Sequence, residues 1–312
     1  MESMFISAFG LFMKPWRQWI TYIMGSQMFR AFTGQRNPVL LMPEKLPPPP
    51  NCHVRYDSRI LKNKVLIIGD IHGCYDELKE LLEKYHDENT SLIFVGDLVN
   101  KGPKSVEVVQ YVRNEVENNG ALCVRGNHDD SALAKALHIK TNSDPSSFIH
   151  RLSRQDINWL SSLPYTITIS QINAIIVHAG VLPDISIPLQ SPINCSRMRN
   201  LISISDHSNE HNNESSVQLK REREKEKERE SITSKWRGTD SSKDGVPWAS
   251  EWRGPEHIYF GHDAKRGLQL HDYATGLDTG CCYGRQLTAI LLPERKIVQI
   301  NAKQCYAEIK RD

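Results

Sequence analysis

The sequence predicts an α/β fold containing parallel strands, and three observations carry that prediction. Short apolar runs of strand length alternate with stretches whose apolar residues recur at helical spacing. The early runs end at a glycine beside Asp or at an Arg-Gly-Asn sequence, where a buried strand gives way to a loop. A second group of apolar runs comes later in the chain. Alternation of this kind implies βαβ units and a sheet with parallel strands.

The first strand is Val65-Leu66-Ile67-Ile68, closed by Gly69-Asp70. Leu78, Leu81, Leu82 and Tyr85 then mark one face of a helix. Ser91 to Val95 gives a second strand, again closed by Gly-Asp. Val106, Val109, Val112 and Val116 mark the next helix face, and Ala121 to Val124 a third strand. The second group comprises Tyr165–Ile169, Ala174–Val177, Ile258–Phe260, Leu287–Leu292 and Lys296–Ile300.

The flanks have a different character. Pro43 to Pro50 holds five prolines and reads as an extended linker, so residues 1–53 form an N-terminal segment ahead of a domain over 54–312. Met4 to Met13 is apolar but shorter than the roughly 20 residues a spanning helix needs. Trp16, Trp19 and Tyr22 lie among Lys14, Arg17 and Arg30, a composition compatible with a membrane interface. Residues 1–35 are therefore a candidate membrane contact; a cytoplasmic location is equally consistent with the chain, and a vacuolar one follows only with the family resemblance that the motifs below carry. From Ile185 to Val246 apolar residues are sparse, and Lys220 to Glu230 carries six basic and five acidic residues with no apolar face. A disordered, solvated insertion over 185–246 is expected.

The net charge of +2 argues against a nucleic-acid coat or a strongly acidic partner, and no sequence-specific nucleic-acid binding is expected. The seven cysteines form no CxxC pair and read as small buried hydrophobes rather than a disulfide framework.

The informative residues sit just past the end of each strand. The successive endings are Gly69-Asp70-Ile71-His72-Gly73, Gly96-Asp97 through Asn100-Lys101-Gly102, and Arg125-Gly126-Asn127-His128-Asp129. Later come His178-Ala179-Gly180 and Gly261-His262-Asp263. Ligands collect beyond the carboxyl ends of strands in open α/β sheets. Five such ends carry Asp, His or Asn beside a glycine, which allows close approach to a bound ion. Any one fragment is weak on its own. Their ordered recurrence at matching positions is the argument.

This ordered set resembles the calcineurin-like metallophosphoesterase superfamily, whose pattern is GDxHG, GDxxxxG, GNH, HxG and GH. The resemblance covers roughly Lys64 to Leu292 and implies a sandwich of two mixed β-sheets flanked by helices. It implies that Asp70, His72 and Asp97 hold one divalent ion, and that Asp97, Asn127 and His178 hold a second, with Asp97 bridging. His262 belongs with the first ion in the usual assignment, and the pattern leaves open which ion it serves. A mixed oxygen and nitrogen shell suits Mn, Zn, Fe or Co. His128 is placed to protonate a leaving oxygen as general acid. Lys101 is a candidate to neutralise phosphate charge. Arg125 is either a second such group or a structural ion-pair partner.

The fragments also resemble one branch more than others. Protein serine/threonine phosphatases carry Asp-Arg where this chain has Asn100-Lys101, and GNHE where it has GNHD. Losing that Asp removes the usual partner of the general-acid histidine, and losing Arg exchanges a forked clamp for a point charge. The chain looks more like the ApaH-like (diadenosine tetraphosphate hydrolase) branch, which has GDLVxxGP, GNHD, HAG and a late LDTGCxxG. Here the last reads Leu277-Asp278-Thr279-Gly280-Cys281-Cys282-Tyr283-Gly284. The implied substrates contain phosphoanhydride chains, with inorganic polyphosphate expected slightly ahead of dinucleoside tetraphosphates or caps. Lys265 and Arg266 are placed to supply charge to further phosphates. Trp248 and Trp252 are candidates to stack on a base, with core packing the stronger reading. A non-catalytic scaffold would require a lost ligand, and every expected ligand is present.

Overall fold

In the computed structural model, which describes residues 42–137, 147–204 and 234–308, two mixed sheets pack face to face. The strands of the first half are β1 (His53–Tyr56), β2 (Lys64–Ile68), β3 (Thr90–Phe94), β4 (Leu122–Cys123), β5 (Thr166–Ile169), β6 (Ala174–Val177) and β7 (Asn200–Ser203). Those of the second half are β8 (Trp236–Thr239), β9 (Val246–Pro247), β10 (His257–Phe260), β11 (Gln269–Leu270), β12 (Ala274–Gly276), β13 (Gln286–Leu292) and β14 (Lys296–Asn301). The helices are α1 (Tyr75–Tyr85), α2 (Ser105–Asn118), α3 (Asn127–Ala136), α4 (Arg154–Ser162), α5 (Pro192–Arg197) and α6 (Trp248–Glu251).

One sheet runs β14-β13-β2-β3-β4 and the other β1-β5-β6-β10-β12-β11. Strands β2, β3 and β4 are parallel, whereas β13 and β14 join antiparallel. The expected apolar runs are buried because both faces of β2 and β3 are covered. Val65, Ile67 and Ile93 point between the sheets, against Ile167, Ile176 and Tyr259. Leu66, Ile68, Leu92 and Phe94 point the other way, onto Leu78 and Leu81 of α1 and Val109 and Val112 of α2. That alternation is the pleat read through the sequence, and each such side chain contributes about 1.5–3 kcal/mol on burial. Val116 is partly buried at the edge of the same cluster.

Two boundaries differ from expectation. Packed structure reaches ahead of residue 54: Pro43–Lys45 is a 3-10 helix, and Leu46 is 3% exposed in the core behind the first sheet. A proline-rich stretch can pack when an apolar residue inside it reaches a core. Nor is 185–246 unstructured throughout, since α5, β7, β8 and β9 lie within those bounds. A few apolar residues suffice there: Cys195, Met198 and Leu201 pack with Trp248 and Phe260 on the outer face of the second sheet. The charged run at 220–230 and the candidate membrane contact at 1–35 lie outside the described residues. Among the described residues no helix is long and apolar enough to cross a membrane. All seven cysteines are free, and all but Cys52 and Cys305 are buried.

Candidate active site

The carboxyl ends of β2, β3, β4, β6 and β10 deliver the motif residues to one edge of the sandwich. Their loops are held in an uncommon backbone state. His72 (φ 48°), Asp97 (φ 51°), Asn100 (φ 70°), Lys101 (φ 69°) and His262 (φ 71°) all lie in the left-handed region without being glycine. Such strain persists only where neighbours over-determine it. The His72 and Gly73 amides donate to the Asp97 and Leu98 carbonyls, each at 2.8 Å, and the Gly102 amide donates to the His72 carbonyl at 2.8 Å. The glycines are steric requirements. A Cβ on Gly126 would lie 2.2 Å from Asp97 Oδ1, and one on Gly261 would lie 1.9 Å from Asp70 Oδ1.

Each of His72, His178 and His262 turns one nitrogen to a backbone carbonyl and the other to the site. His72 Nδ1 is 2.9 Å from the Val99 carbonyl, His178 Nδ1 is 2.9 Å from that of Val95, and His262 Nε2 is 2.9 Å from that of Arg197. A carbonyl only accepts, so each of these nitrogens carries the proton and the opposite one presents a lone pair. His72 Nε2 faces Asp97 Oδ2 at 3.3 Å, and His178 Nε2 faces Asp97 Oδ1 at 3.4 Å. The two oxygens of Asp97 therefore address two different histidines. His178 Nε2 and His262 Nδ1 converge on Asn127 Oδ1 at 3.1 and 3.0 Å. This puts the His262 ring beside His178 and Asn127, while its backbone amide donates to Asp70. The His262 side chain thus lies with the second ligand group rather than with His72.

The electrostatics fit divalent cations. Asp70, Asp97 and Asp278 are each 4% exposed or less. Burial raises the Asp70 carboxyl well above its ordinary range, and the neighbouring charges of Asp278 and Asp97 raise it further. Burial likewise brings His72 down to about 3 and His262 well below the ordinary histidine range, leaving both rings neutral as ligation requires. Lys101 Nζ lies 2.8 Å from His72 Nε2, a cation already drawn to the same point. Carboxylate, amide oxygen and neutral imidazole form a hard-to-borderline donor set without thiolate.

The Calcineurin-like phosphoesterase family profile matches residues 63–266. The chain belongs to the calcineurin-like phosphoesterases. It is a metallophosphoesterase, a hydrolase whose family uses divalent metal ions. It is 30% identical over 279 residues to a symmetrical bis(5'-nucleosyl)-tetraphosphatase of Coxiella burnetii, covering 79% of this chain and 94% of the relative. It is 26% identical over 272 residues to the asymmetrical bis(5'-nucleosyl)-tetraphosphatase PrpE of Bacillus velezensis, covering 77% and 93%. A crystal structure described as a candidate diadenosine tetraphosphatase superposes with a TM-score of 0.63 at 32% identity, covering 81% of this chain and 98% of that one.

Within this metallophosphoesterase, His128 stands beside the candidate ligands with its ring edge-on to His72 at 4.8 Å. The usual Asp partner is replaced but not lost. Asn100 Nδ2 lies 3.2 Å from His128 Nδ1 and 3.3 Å from the His128 carbonyl oxygen. Asp129, the nearest carboxylate in sequence, is no substitute partner: it takes the amides of Asp97, Leu98 and Gly126 at 2.9, 3.0 and 2.9 Å. It holds the strained Asp97 loop in place.

Two of the expected substrate contacts, Arg125 and Arg266, are corrected, and the two tryptophans take the core role that was the stronger reading. Arg125 is 1% exposed; its Nε pairs with Asp130 at 2.9 Å and its guanidinium donates to the Tyr165 hydroxyl at 2.5 Å. It is a core ion-pair partner and cannot reach substrate. Arg266 is committed to the Asp263 carboxylate and to Asn200 Oδ1 at 2.7 Å. Trp248 (2% exposed) and Trp252 (8% exposed) are core residues, the former edge-on to Phe260 at 4.8 Å. Lys265 is exposed on the loop after His262.

Two residues near the centre carry roles the sequence did not reveal. Asp278, from the late LDTGC motif, is buried against Asp70 and accepts the Gly280 amide at 3.0 Å. Arg197 supplies the carbonyl that orients His262. The motif hinted at Asp278, whereas nothing in the Ser- and Asn-rich stretch marked Arg197.

Proposed function

We propose that this metallophosphoesterase hydrolyses a phosphoanhydride bond of a dinucleoside polyphosphate such as diadenosine tetraphosphate. The observation that carries the reading is Asp97, whose two carboxylate oxygens face His72 and His178 separately. On this reading Asp70, His72 and Asp97 hold one ion, and Asp97, Asn127, His178 and His262 hold the other. Two bound ions of the Mn, Zn, Fe or Co type supply Lewis acidity and lower the pKa of a shared water.

The side chains do the rest. Lys101, whose ammonium also lies over the Tyr283 ring at 5.0 Å, neutralises charge on the scissile phosphate. Asn100 donates to His128 Nδ1, which places the His128 proton on Nε2, where it can pass to the leaving phosphate oxygen. Lys265 is the remaining candidate for phosphates further along the chain.

The relatives' names support the dinucleotide over inorganic polyphosphate, the substrate the sequence put first. The commitment of Arg266 to Asp263 also removes one cation that a long phosphate chain would use. Diadenosine tetraphosphate and long-chain polyphosphate should be offered in parallel to the manganese-loaded chain, with nucleotide products resolved by chromatography. Nucleotide release from the dinucleotide is expected. Chain shortening of polyphosphate alone would reverse the assignment.

A further inference from the structure

A groove of about 490 Å³ is bounded by α5, β7 and β8. Ile193, Met198 and Ile202 line it, together with Arg197 and Arg237 and the acidic Asp240 and Asp244. We propose that this groove is the subsite for the half of the substrate beyond the scissile bond, with Arg197 binding its phosphates and the Ile193–Met198–Ile202 floor packing its nucleoside. The proposal deepens, and rests on, the reading of this enzyme as a dinucleoside polyphosphate hydrolase.

Arg197 links the groove to the chemistry. Its carbonyl lies 2.9 Å from His262 Nε2, so its backbone is fixed at the metal-ligand shell. The same residue lines the groove, so the groove begins one residue's length from His262. A bridging phosphate chain left of the scissile bond would carry several negative charges, and a forked guanidinium suits them.

The guanidinium is held ready rather than spent. Glu44 Oε1 accepts from it at 2.6 Å, yet the Arg197 side chain stays 32% exposed. Glu44 reaches it from the 3-10 helix Pro43–Lys45, where Glu44 (φ 53°) and Lys45 (φ 57°) are consecutive left-handed residues. That costly backbone sets the carboxylate on Arg197. One-sided pairing orients the fork and leaves donors for phosphate. The other basic residues near the centre are differently disposed: Arg266 is bound to Asp263, and Arg199 donates to the Asp240 carbonyl.

The groove is large enough for a nucleoside, since ligand pockets run about 300–1,000 Å³. Ile193 and Ile202 are partly exposed, and Met198 lies beneath them as an adaptable thioether.

The test uses the manganese-loaded full chain with diadenosine tetraphosphate, inorganic tripolyphosphate and p-nitrophenyl phosphate. Arg197→Ala is expected to raise KM for both polyphosphates by about tenfold or more, the loss of one charge-assisted contact, and to affect the monoester far less. Arg197→Lys should recover part of that loss. Ile202→Asp should raise KM for the dinucleotide much more than for tripolyphosphate. Thermal unfolding of each variant separates misfolding from lost contact. If the parent chain leaves the dinucleotide intact, the proposed function fails. The groove is still decided by calorimetric binding of that dinucleotide to His128→Ala, with and without Arg197→Ala. Binding weakened about tenfold by the second change supports it. Equal affinity, or no measurable affinity in either chain, overturns it.

Discussion

Asn100 Nδ2 lies 3.2 Å from Nδ1 of His128, in the position where protein phosphatases place an aspartate. The amide also contacts the His128 carbonyl, an obligate acceptor, so its NH2 end faces the ring. An amide fixes the imidazole without adding a negative charge, whereas an aspartate would do both. Asn100→Ala should lower kcat by about tenfold with little change in KM, because a loosened general acid loses alignment in the transition state. Unchanged kcat would show that His128 is oriented by other contacts.

Gly261 is predicted to be irreplaceable. An added Cβ would meet Asp70 Oδ1 at 1.9 Å, and both the strand end and the carboxylate are buried. Gly261→Ala should reduce bound metal by displacing Asp70, with activity falling in step. Metal analysis after gel filtration reads this directly, and full metal content with full activity would contradict the packing described.

Arg125 is predicted to act on stability. Removing it leaves Asp130 buried without its cation, and breaking a buried pair costs about 3–5 kcal/mol. Burial already raises the Asp130 carboxyl to about 6 against the lowering pull of Arg125. Arg125→Ala should therefore shift urea unfolding strongly while the folded fraction still binds metal. A catalytic defect with normal stability would return Arg125 to the substrate.

These cases show what the sequence made legible. Strands β2 and β3 and helices α1 and α2 were readable because each buries a regular face, and the candidate ligands were readable because they follow strand ends. The region from α5 to β9 was not, since Cys195, Met198 and Leu201 are too few to make a period. Nor were β11 and β12, two and three residues long. Arg125 and Arg266 misled because charge is visible in a sequence while the partner that consumes it is not. Asp130 and Asp263 lie within five residues of them, yet only the fold turns those carboxylates inward.

His257 gives a pH signature apart from the metal centre. Burial, then the charge of Arg295, lowers its pKa from 6.5 to about 4. The unfolded chain thus binds this proton more readily than the folded one, so stability is lost as pH falls from about 6.5 towards 4. His257→Gln, which keeps a polar group near Thr275, should flatten the dependence of Tm on pH across that window. An unchanged slope would mean the ring is protonated in the folded state.

The most direct test is metal stoichiometry and diadenosine tetraphosphate hydrolysis measured together on the parent chain and on Asp97→Asn. The two oxygens of Asp97 face His72 and His178 separately, so the parent should bind two equivalents of divalent metal and cleave the dinucleotide. The variant should lose both metal and cleavage. Two metals and undiminished hydrolysis in Asp97→Asn would contradict a centre bridged by this carboxylate.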